Sequence, residues 1–261
     1  MNIPPPHKLL DFTDQVVLVT GSGSGIGAGI ARRFGEAGAS VAVNYLTSAE
    51  GAKHVVEDIV DMGARAAAIQ ADVTKAEQVN YLFQEAGKQL GAIDILINNV
   101  GTYPLSSMLD MGEEEWDFVF DTNLRSTFLC TQAAAERMIA RDYPGAIVNI
   151  TSIEAQNPAP LHSHYNAAKA GVLMHTRSVA QELGPHGIRV NAVAPGLIWT
   201  EGLQESWPEG VARWMKAAPL ARLGQAADVA DACLFLASPA ARWITGANLL
   251  VDGGVMTKQI F

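Results

Sequence analysis

Tyr165 and Lys169 stand four residues apart near the start of a helical pattern over 163–183, so both side chains lie on one helix face. A phenol beside an ammonium is a pairing suited to proton transfer. The ordinary phenol pKa of ~10 is too high for a base at neutral pH. A neighbouring positive charge favours the phenolate and is the physical means of lowering it. Ser152 precedes Tyr165 at the end of an apolar run over 146–151, and a hydroxyl there can donate to a carbonyl oxygen or stabilise an alkoxide. Asn123 sits in Asp121-Thr122-Asn123-Leu124, in the middle of a helical pattern over 114–140. Singly, each has a plain structural reading. Tyr and Lys at this spacing occur on many helices, a serine can simply end a strand, and an asparagine can line a helix. Their weight comes from standing in register with a glycine turn far upstream.

That turn is Thr20-Gly21-Ser22-Gly23-Ser24-Gly25-Ile26-Gly27, between an apolar strand over 16–20 and a helix over 26–36. Glycines in this context permit a tight turn, close backbone approach to a pyrophosphate and close helix–strand packing, with the helix N-terminus facing the anion. The spacing is Gly-x-x-x-Gly-x-Gly (Gly21, Gly25, Gly27) rather than the commoner Gly-x-Gly-x-x-Gly. Gly21, Ser22, Ser24, Gly25, Ile26 and Gly27 are therefore the candidate phosphate cradle.

The elements that must position these groups alternate along the chain. Short apolar runs at 16–20, 40–45, 65–71, 93–98, 146–151, 189–194 and 248–251 are separated by helical patterns. Seven such runs predict a doubly wound parallel sheet with helices on both faces, a Rossmann-type α/β fold. No linker or repeat interrupts the series, so residues 1–261 read as a single domain. It carries an N-terminal arm over 1–13 and a lid over 198–219. The balance of 18 Lys+Arg against 27 Asp+Glu gives a net charge of −9, which disfavours nucleic acid and anionic membrane surfaces. Cys130 and Cys233 supply neither a disulfide framework nor a zinc pattern and read as small core residues. His162 and His164 flank the Ser152–Tyr165 interval without a carboxylate or cysteine at ligand spacing. They read as surface or substrate-loop residues, and no metal is expected. No apolar run approaches the ~20 residues of a membrane span, and the expectation is a cytoplasmic protein.

Over residues 12–254 the chain resembles the short-chain dehydrogenase/reductase family. The resemblance is carried by the glycine turn, Asp72-Val73, Asn98-Asn99-Val100-Gly101, Ser152, Tyr165-x-x-x-Lys169, Pro195-Gly196 and Asp252-Gly253-Gly254. Val100 stands where the family usually has alanine. The resemblance implies a nicotinamide dinucleotide cofactor. Asp72 and Val73 would meet the adenine, and Asn99, Val100 and Gly101 the ribose. Pro195, Gly196, Ile198 and Thr200 would cradle the nicotinamide end. It also implies that Ser152 polarises the substrate, that Tyr165 is the general acid/base, and that Lys169 holds the cofactor ribose. Asn123 would support a water leading from Lys169 to solvent. NAD-preferring relatives end the second strand with an aspartate that repels a 2′-phosphate. This chain has Tyr45 there, followed by Leu46, Thr47 and Ser48, which favours NADP over NAD. A homotetramer built on the helices over 114–140 and 163–183 is a further implication, with the tail over 255–261 reaching a neighbouring subunit.

Substrate choice is assigned to the loops over 102–109, 153–164 and 198–219. The last carries Trp199, Trp207 and Trp214, and Glu154, Asn157 and His162 offer polar groups near Ser152. The substrate loop is similar to that of the glucose 1-dehydrogenase branch, so Glu154, Asn157, His162, Trp199 and Trp207 are expected to contact a sugar, polyol or cyclic ketone. The alternatives are a 3-oxoacyl thioester reductase and, in a different class, a dinucleotide-binding regulator without turnover.

Overall fold

The computed structural model describes residues 4–257; residues 1–3 of the arm and 258–261 of the tail lie outside the described residues. The strands are β1 (Val16–Val19), β2 (Ser40–Tyr45), β3 (Ala66–Gln70), β4 (Ile95–Asn98), β5 (Ala146–Ile150), β6 (Arg189–Pro195) and β7 (Asn248–Val251). All pair in parallel in one seven-stranded sheet of order β3-β2-β1-β4-β5-β6-β7. The helices are α1 (Gly25–Glu36), α2 (Ala49–Asp61), α3 (Ala76–Leu90), α4 (Glu113–Phe120), α5 (Ser126–Ala140), α6 (Ser163–Leu183), α7 (Leu203–Ser206), α8 (Pro208–Ala217) and α9 (Ala226–Ala237). This is a single Rossmann-like domain.

The central strands are apolar because both of their faces are covered. Every residue of β1, β4 and β5 is buried, as expected where helices cover both sides of a parallel sheet. One face packs Ile30, Phe34, Val55 and Ile59 from α1 and α2 with residues of α9. The other packs Leu82, Phe83 and Met138 from α3 and α5. The edges differ from the uniform burial that the apolar runs imply. β3 alternates, leaving Ala68 and Gln70 exposed, and Leu250 of β7 is exposed. Each edge strand lacks a neighbour on one side, so less of it is covered.

Strand order reverses between β1 and β4, and the C-terminal strand ends there form the crevice in which doubly wound folds bind ligands. A buried polar ladder holds those ends in place. Asn98 Nδ2 donates to Thr131 Oγ1 at 3.0 Å and to Asn149 Oδ1 at 2.8 Å, and Asn149 Nδ2 donates to Thr176 Oγ1 at 2.9 Å. It thereby ties β4 to α5 and β5 to α6.

The helix expected over 114–140 is not continuous. Between α4 and α5 the backbone widens into a π-helical turn, Asp121–Arg125. Ser126 and Thr127 hydroxyls donate back to the carbonyls of Thr122 and Asn123. Such wide turns often mark functional positions, and this one carries Asn123.

Candidate active site

Around the glycine turn, backbone and side chains are committed in a way that leaves the N-terminus of α1 open. Gly21 and Gly25 have φ of +61° and +56°, a left-handed conformation costly for other residues. A Cβ on Gly27 would lie 2.5 Å from both Asn99 Nδ2 and the Gly21 carbonyl oxygen. Ser24 is extended and exposed, and its side chain makes no capping bond to the amides of α1. The turn is held from below. Asn44 Oδ1 accepts from the Gly21 amide at 3.1 Å, and Asn44 Nδ2 donates to the carbonyls of Ile69 and Ala71. Asn99 Nδ2 donates to the carbonyls of Thr20 and Gly21. Sequence reasoning took Asn44 only as part of an Asn44-Tyr45 pattern similar to NADP-using relatives and did not assign it this supporting role; the signal for the role is a polar residue in the otherwise apolar Ser40–Tyr45 run.

Several residues assigned to the cofactor are thus occupied elsewhere. Ser22 is fully buried and donates to the Val19 carbonyl at 2.8 Å, so it turns away from the crevice. Ser48 donates to the Gly23 carbonyl at 3.2 Å, which commits its proton to the loop. Asp72 Oδ1 accepts from Thr74 through both backbone amide and hydroxyl, leaving Oδ2 as its unengaged oxygen. Leu46 and Thr47 are exposed, Tyr45 is half-buried, and Val73 is buried. Ile198 is buried where it bridges to Gly224, and Thr200 is exposed. Pro195 ends β6, and a Cβ on Gly196 would lie 2.5 Å from the Trp214 ring. The open helix end and the glycine cradle fit a dinucleotide held through backbone amides.

The structure brings the four proton-transfer candidates together at the ends of β4 and β5. Ser152 caps the short turn Ile153–Ala155, its Oγ accepting from the Glu154 amide at 3.0 Å. That contact uses an acceptor site and leaves the hydroxyl proton free to donate. Lys169 is buried, donates to the Ile150 carbonyl at 2.9 Å, and places Nζ 5.8 Å from the Tyr165 ring centre. Gly101 lies against both Lys169 and Asn123, since a Cβ there would be 2.7 Å from Asn123 Oδ1 and 3.2 Å from Lys169 Nζ. Asn123 Nδ2 donates to the carbonyls of Thr102 and Val119, while its buried Oδ1 has no partner among the described residues.

Charge is unwelcome on both members of the Tyr–Lys pair. Burial pushes the Tyr165 phenol up, and only a side-chain hydrogen bond with Ser152 opposes it; the Glu154 carboxylate adds to the rise. Burial brings the Lys169 ammonium down to about 8. In the chain without cofactor, desolvation governs the phenol, and Ser152 rather than the ammonium is the group that lowers it.

Around Tyr165 the substrate loops close in. Tyr103 and His162 both stand edge-on to its ring, with centres 5.9 and 5.6 Å away. His162 Nδ1 lies 2.8 Å from Glu154 Oε2. Tyr103 was not singled out from sequence; its position two residues after Gly101 is the available signal. Loops 102–109 and 153–164 are joined by the Ser106 amide donating to the Leu161 carbonyl at 2.9 Å. Asn157 is exposed. His164 is neither surface nor loop. It is fully buried on α6, with Nε2 3.7 Å from a Glu115 carboxylate oxygen. As the neighbour of Tyr165 on a helix it faces another direction, toward α4. Among the lid tryptophans, Trp207, the residue before α8, packs on Gly210 and Arg213 of that helix. Trp199 is half exposed. Trp214 is the one that turns inward onto Gly196, its Nε1 buried without a partner among the described residues. Cys130 and Cys233 are buried, and desolvation raises both thiol pKa values, in keeping with core residues. Among the described residues no His/Cys/Asp/Glu group could hold a metal ion, and no helix is long and apolar enough to cross a membrane.

A doubly wound sheet, an open glycine turn at its switch point and a Ser–Tyr–Lys–Asn cluster beside it define a nicotinamide-dependent oxidoreductase. A family profile described as Enoyl-(Acyl carrier protein) reductase matches residues 21–256. The 3-oxoacyl-[acyl-carrier-protein] reductase FabG of Staphylococcus aureus (strain Mu50) is 43% identical over 241 residues, 91% of this chain and 96% of that protein. The 3beta-hydroxysteroid dehydrogenase 1 of Eggerthella lenta is 41% identical, covering 94% of this chain and 95% of that protein. The crystal structure of acetoin dehydrogenase from Enterobacter cloacae superposes with a TM-score of 0.86 at 35% identity, over 94% of this chain and 97% of the other. The chain belongs to the short-chain dehydrogenase/reductase family. It is an NAD(P)-dependent oxidoreductase acting on a ketone or alcohol.

Proposed function

We propose that this chain transfers a hydride between NADP(H) and a secondary alcohol or ketone, a sugar, polyol or cyclic ketone, with Tyr165 as general acid/base. The observation that carries the reading is the unbroken cluster Ser152–Tyr165–Lys169–Gly101–Asn123, opening beside the glycine turn. The nicotinamide, when bound, supplies or takes up the hydride. Ser152, whose oxygen already accepts from the Glu154 amide, donates to the substrate oxygen. Tyr165, held neutral by burial, gives its proton to the same oxygen in the reductive direction. Lys169 serves as the buried proton reservoir behind it. Asn123 Oδ1, a buried acceptor in need of a donor, holds the water that reconnects Lys169 to solvent.

The NADP preference is supported by the lack of a carboxylate at Tyr45 and Leu46 and by exposed Ser24 and Thr47 near the ribose position. Ser48 contributes less than its residue type suggests, because its hydroxyl is tied to Gly23. We further infer a cytoplasmic homotetramer, for which the exposed Phe128 on α5 and Met174 on α6 offer apolar contact surface.

A 3-oxoacyl thioester is the second reading, favoured by the 43% identity to a 3-oxoacyl-[acyl-carrier-protein] reductase. A net charge of −9 and the Glu154 carboxylate near Tyr165 weigh against an acidic carrier. A regulator without turnover would have no use for all four clustered groups. The test is an oxidation and reduction panel of sugars, polyols, cyclic ketones and acyl thioesters with both cofactors, run on wild type and Tyr165→Phe. Turnover that survives Tyr165→Phe unchanged refutes the mechanism, and cofactor binding without turnover on any substrate favours the regulator.

A further inference from the structure

We propose that Glu115 is a positioning residue for the substrate: with Ser106 it forms a clasp that holds the loop over 102–109, and Tyr103 with it, against Tyr165. The proposal rests on the reading of Tyr165 as the group that meets the substrate oxygen. Glu115 lies in the first turn of α4, and Ser106 Oγ donates to its Oε2 at 3.0 Å. The other carboxylate oxygen faces His164 Nε2 at 3.7 Å, too far for a hydrogen bond, on the residue that precedes Tyr165 in α6. Ser106 is bound through its backbone as well, its amide donating to the Leu161 carbonyl at 2.9 Å. Leu161 has φ of +63°, a left-handed conformation that a leucine keeps only where its surroundings impose it. One serine thus joins three segments: the loop over 102–109, the loop over 153–164 and α4.

Burial does little to hold this loop, since Leu105, Met108 and Leu109 are 70%, 69% and 95% exposed. Its start is fixed by Asn123 Nδ2 donating to the Thr102 carbonyl at 2.8 Å. Further along, Ser163 Oγ makes a weak contact with Met108 Sδ at 3.7 Å. Tyr103 lies between the fixed Thr102 and the clasped Ser106, its ring centre 5.9 Å from that of Tyr165. Where the clasp opens, the wall that Tyr103 forms beside Tyr165 is lost for part of the time. Apparent affinity for a ketone then falls with the fraction of molecules that are closed, while the chemical step in a closed complex is unchanged. None of these bonds involves the glycine turn over 20–27, so cofactor binding is left as it was.

The test is a double-mutant cycle on the full-length enzyme, with cyclohexanone and NADPH as substrates. Ser106→Ala and Glu115→Ala should each raise the KM for cyclohexanone about fivefold, with kcat within about twofold and the KM for NADPH unchanged. The double variant should be no worse than either single one, because both remove the same bond. Glu115→Gln keeps an oxygen that can accept from Ser106 and should stay within about twofold of wild type. A readout that needs no turnover is hydrogen exchange of the Ser106 amide, which should speed up about fivefold in both alanine variants and not in Glu115→Gln. Additive effects in the double variant, an equal rise in the KM for NADPH, a Glu115→Gln enzyme as impaired as Glu115→Ala, or unaltered exchange overturns the clasp while leaving the Tyr165 reading intact. Turnover retained in Tyr165→Phe overturns that reading instead. A wild type inert toward cyclohexanone counts against the ketone reading alone, and the exchange rates then decide the clasp.

Discussion

Replacing Lys169 by methionine removes a charge that the fold buries at a cost. Depression of its pKa from the ordinary 10.5 to about 8 by desolvation corresponds to about 3 kcal/mol of destabilisation at neutral pH. The sign follows from proton uptake: between pH 8 and 10.5 the unfolded chain holds the lysine proton more tightly than the folded one, so wild-type stability rises with pH across that window. The penalty is full below pH 8 and falls to about 1 kcal/mol by pH 10. Methionine keeps the stem apolar but loses the bond to the Ile150 carbonyl, worth about 1 kcal/mol. Lys169→Met should therefore stabilise the cofactor-free protein by about 2 kcal/mol at pH 7, with the advantage gone near pH 10. Urea unfolding followed by tryptophan fluorescence, at matched protein concentration and at both pH values, measures the difference. A variant less stable at pH 7, or a gap equal at the two pH values, refutes the buried-charge account.

Gly101→Ala places a methyl against Asn123 Oδ1 and Lys169 Nζ and should lower kcat about 10–100-fold with the fold retained, as small misplacements in such sites do; steady-state kinetics with circular dichroism check it. Asn44→Ala strips the Gly21 amide of its acceptor and two buried carbonyls of their donor. It should cost about 2–3 kcal/mol in thermal or urea unfolding and weaken cofactor binding by calorimetry. Tyr45→Asp adds a carboxylate where a 2′-phosphate would lie and should lower the NADP-to-NAD ratio of kcat/KM about tenfold or more; an unchanged ratio removes Tyr45 from the cofactor site. Gly196→Ala forces its new Cβ against the Trp214 ring and should raise the KM for cofactor with a change in Trp214 emission, whereas unaltered emission would mean the lid is not seated there.

What was legible in the sequence is what repeats or is chemically unusual. The Val-Val-Leu-Val run of β1 and the glycines after it specify a doubly buried strand and a tight turn, and the burial of β1 and the left-handed φ of Gly21 and Gly25 agree with that. Tyr165 and Lys169 share a helix face by spacing alone. What was not legible depends on how the backbone folds locally and on which neighbour each side chain meets, and no residue pattern encodes either. The π turn at Asn123 keeps the apolar periodicity of its helix, and only the backbone reveals it. The inward turn of Ser22 comes from its local bond to the Val19 carbonyl, and the engagement of Ser48 with Gly23 arises because β2 carries its following loop back against the glycine turn. The pairing of His162 with Glu154 needs the loop 153–162 to fold onto itself, and no periodicity encodes that. Likewise Trp199, Trp207 and Trp214 look alike as a cluster, and only packing singles out Trp214.

The negative balance of the chain bears on how an anionic cofactor is held. With a net charge of −9 the long-range field opposes a dinucleotide, and the turn over 20–27 contains neither lysine nor arginine. Attraction must then be local. The first turn of α1 contains no acidic residue and its N-cap side chain is uncommitted, so neither that turn nor its cap neutralises the positive end of the helix dipole. Asn44 and Asn99 fix the backbone of the turn, so the amides are oriented before any ligand arrives and little ordering entropy is spent on binding. A site made of fixed dipoles in a repelling field favours ligands that reach it closely and fit it.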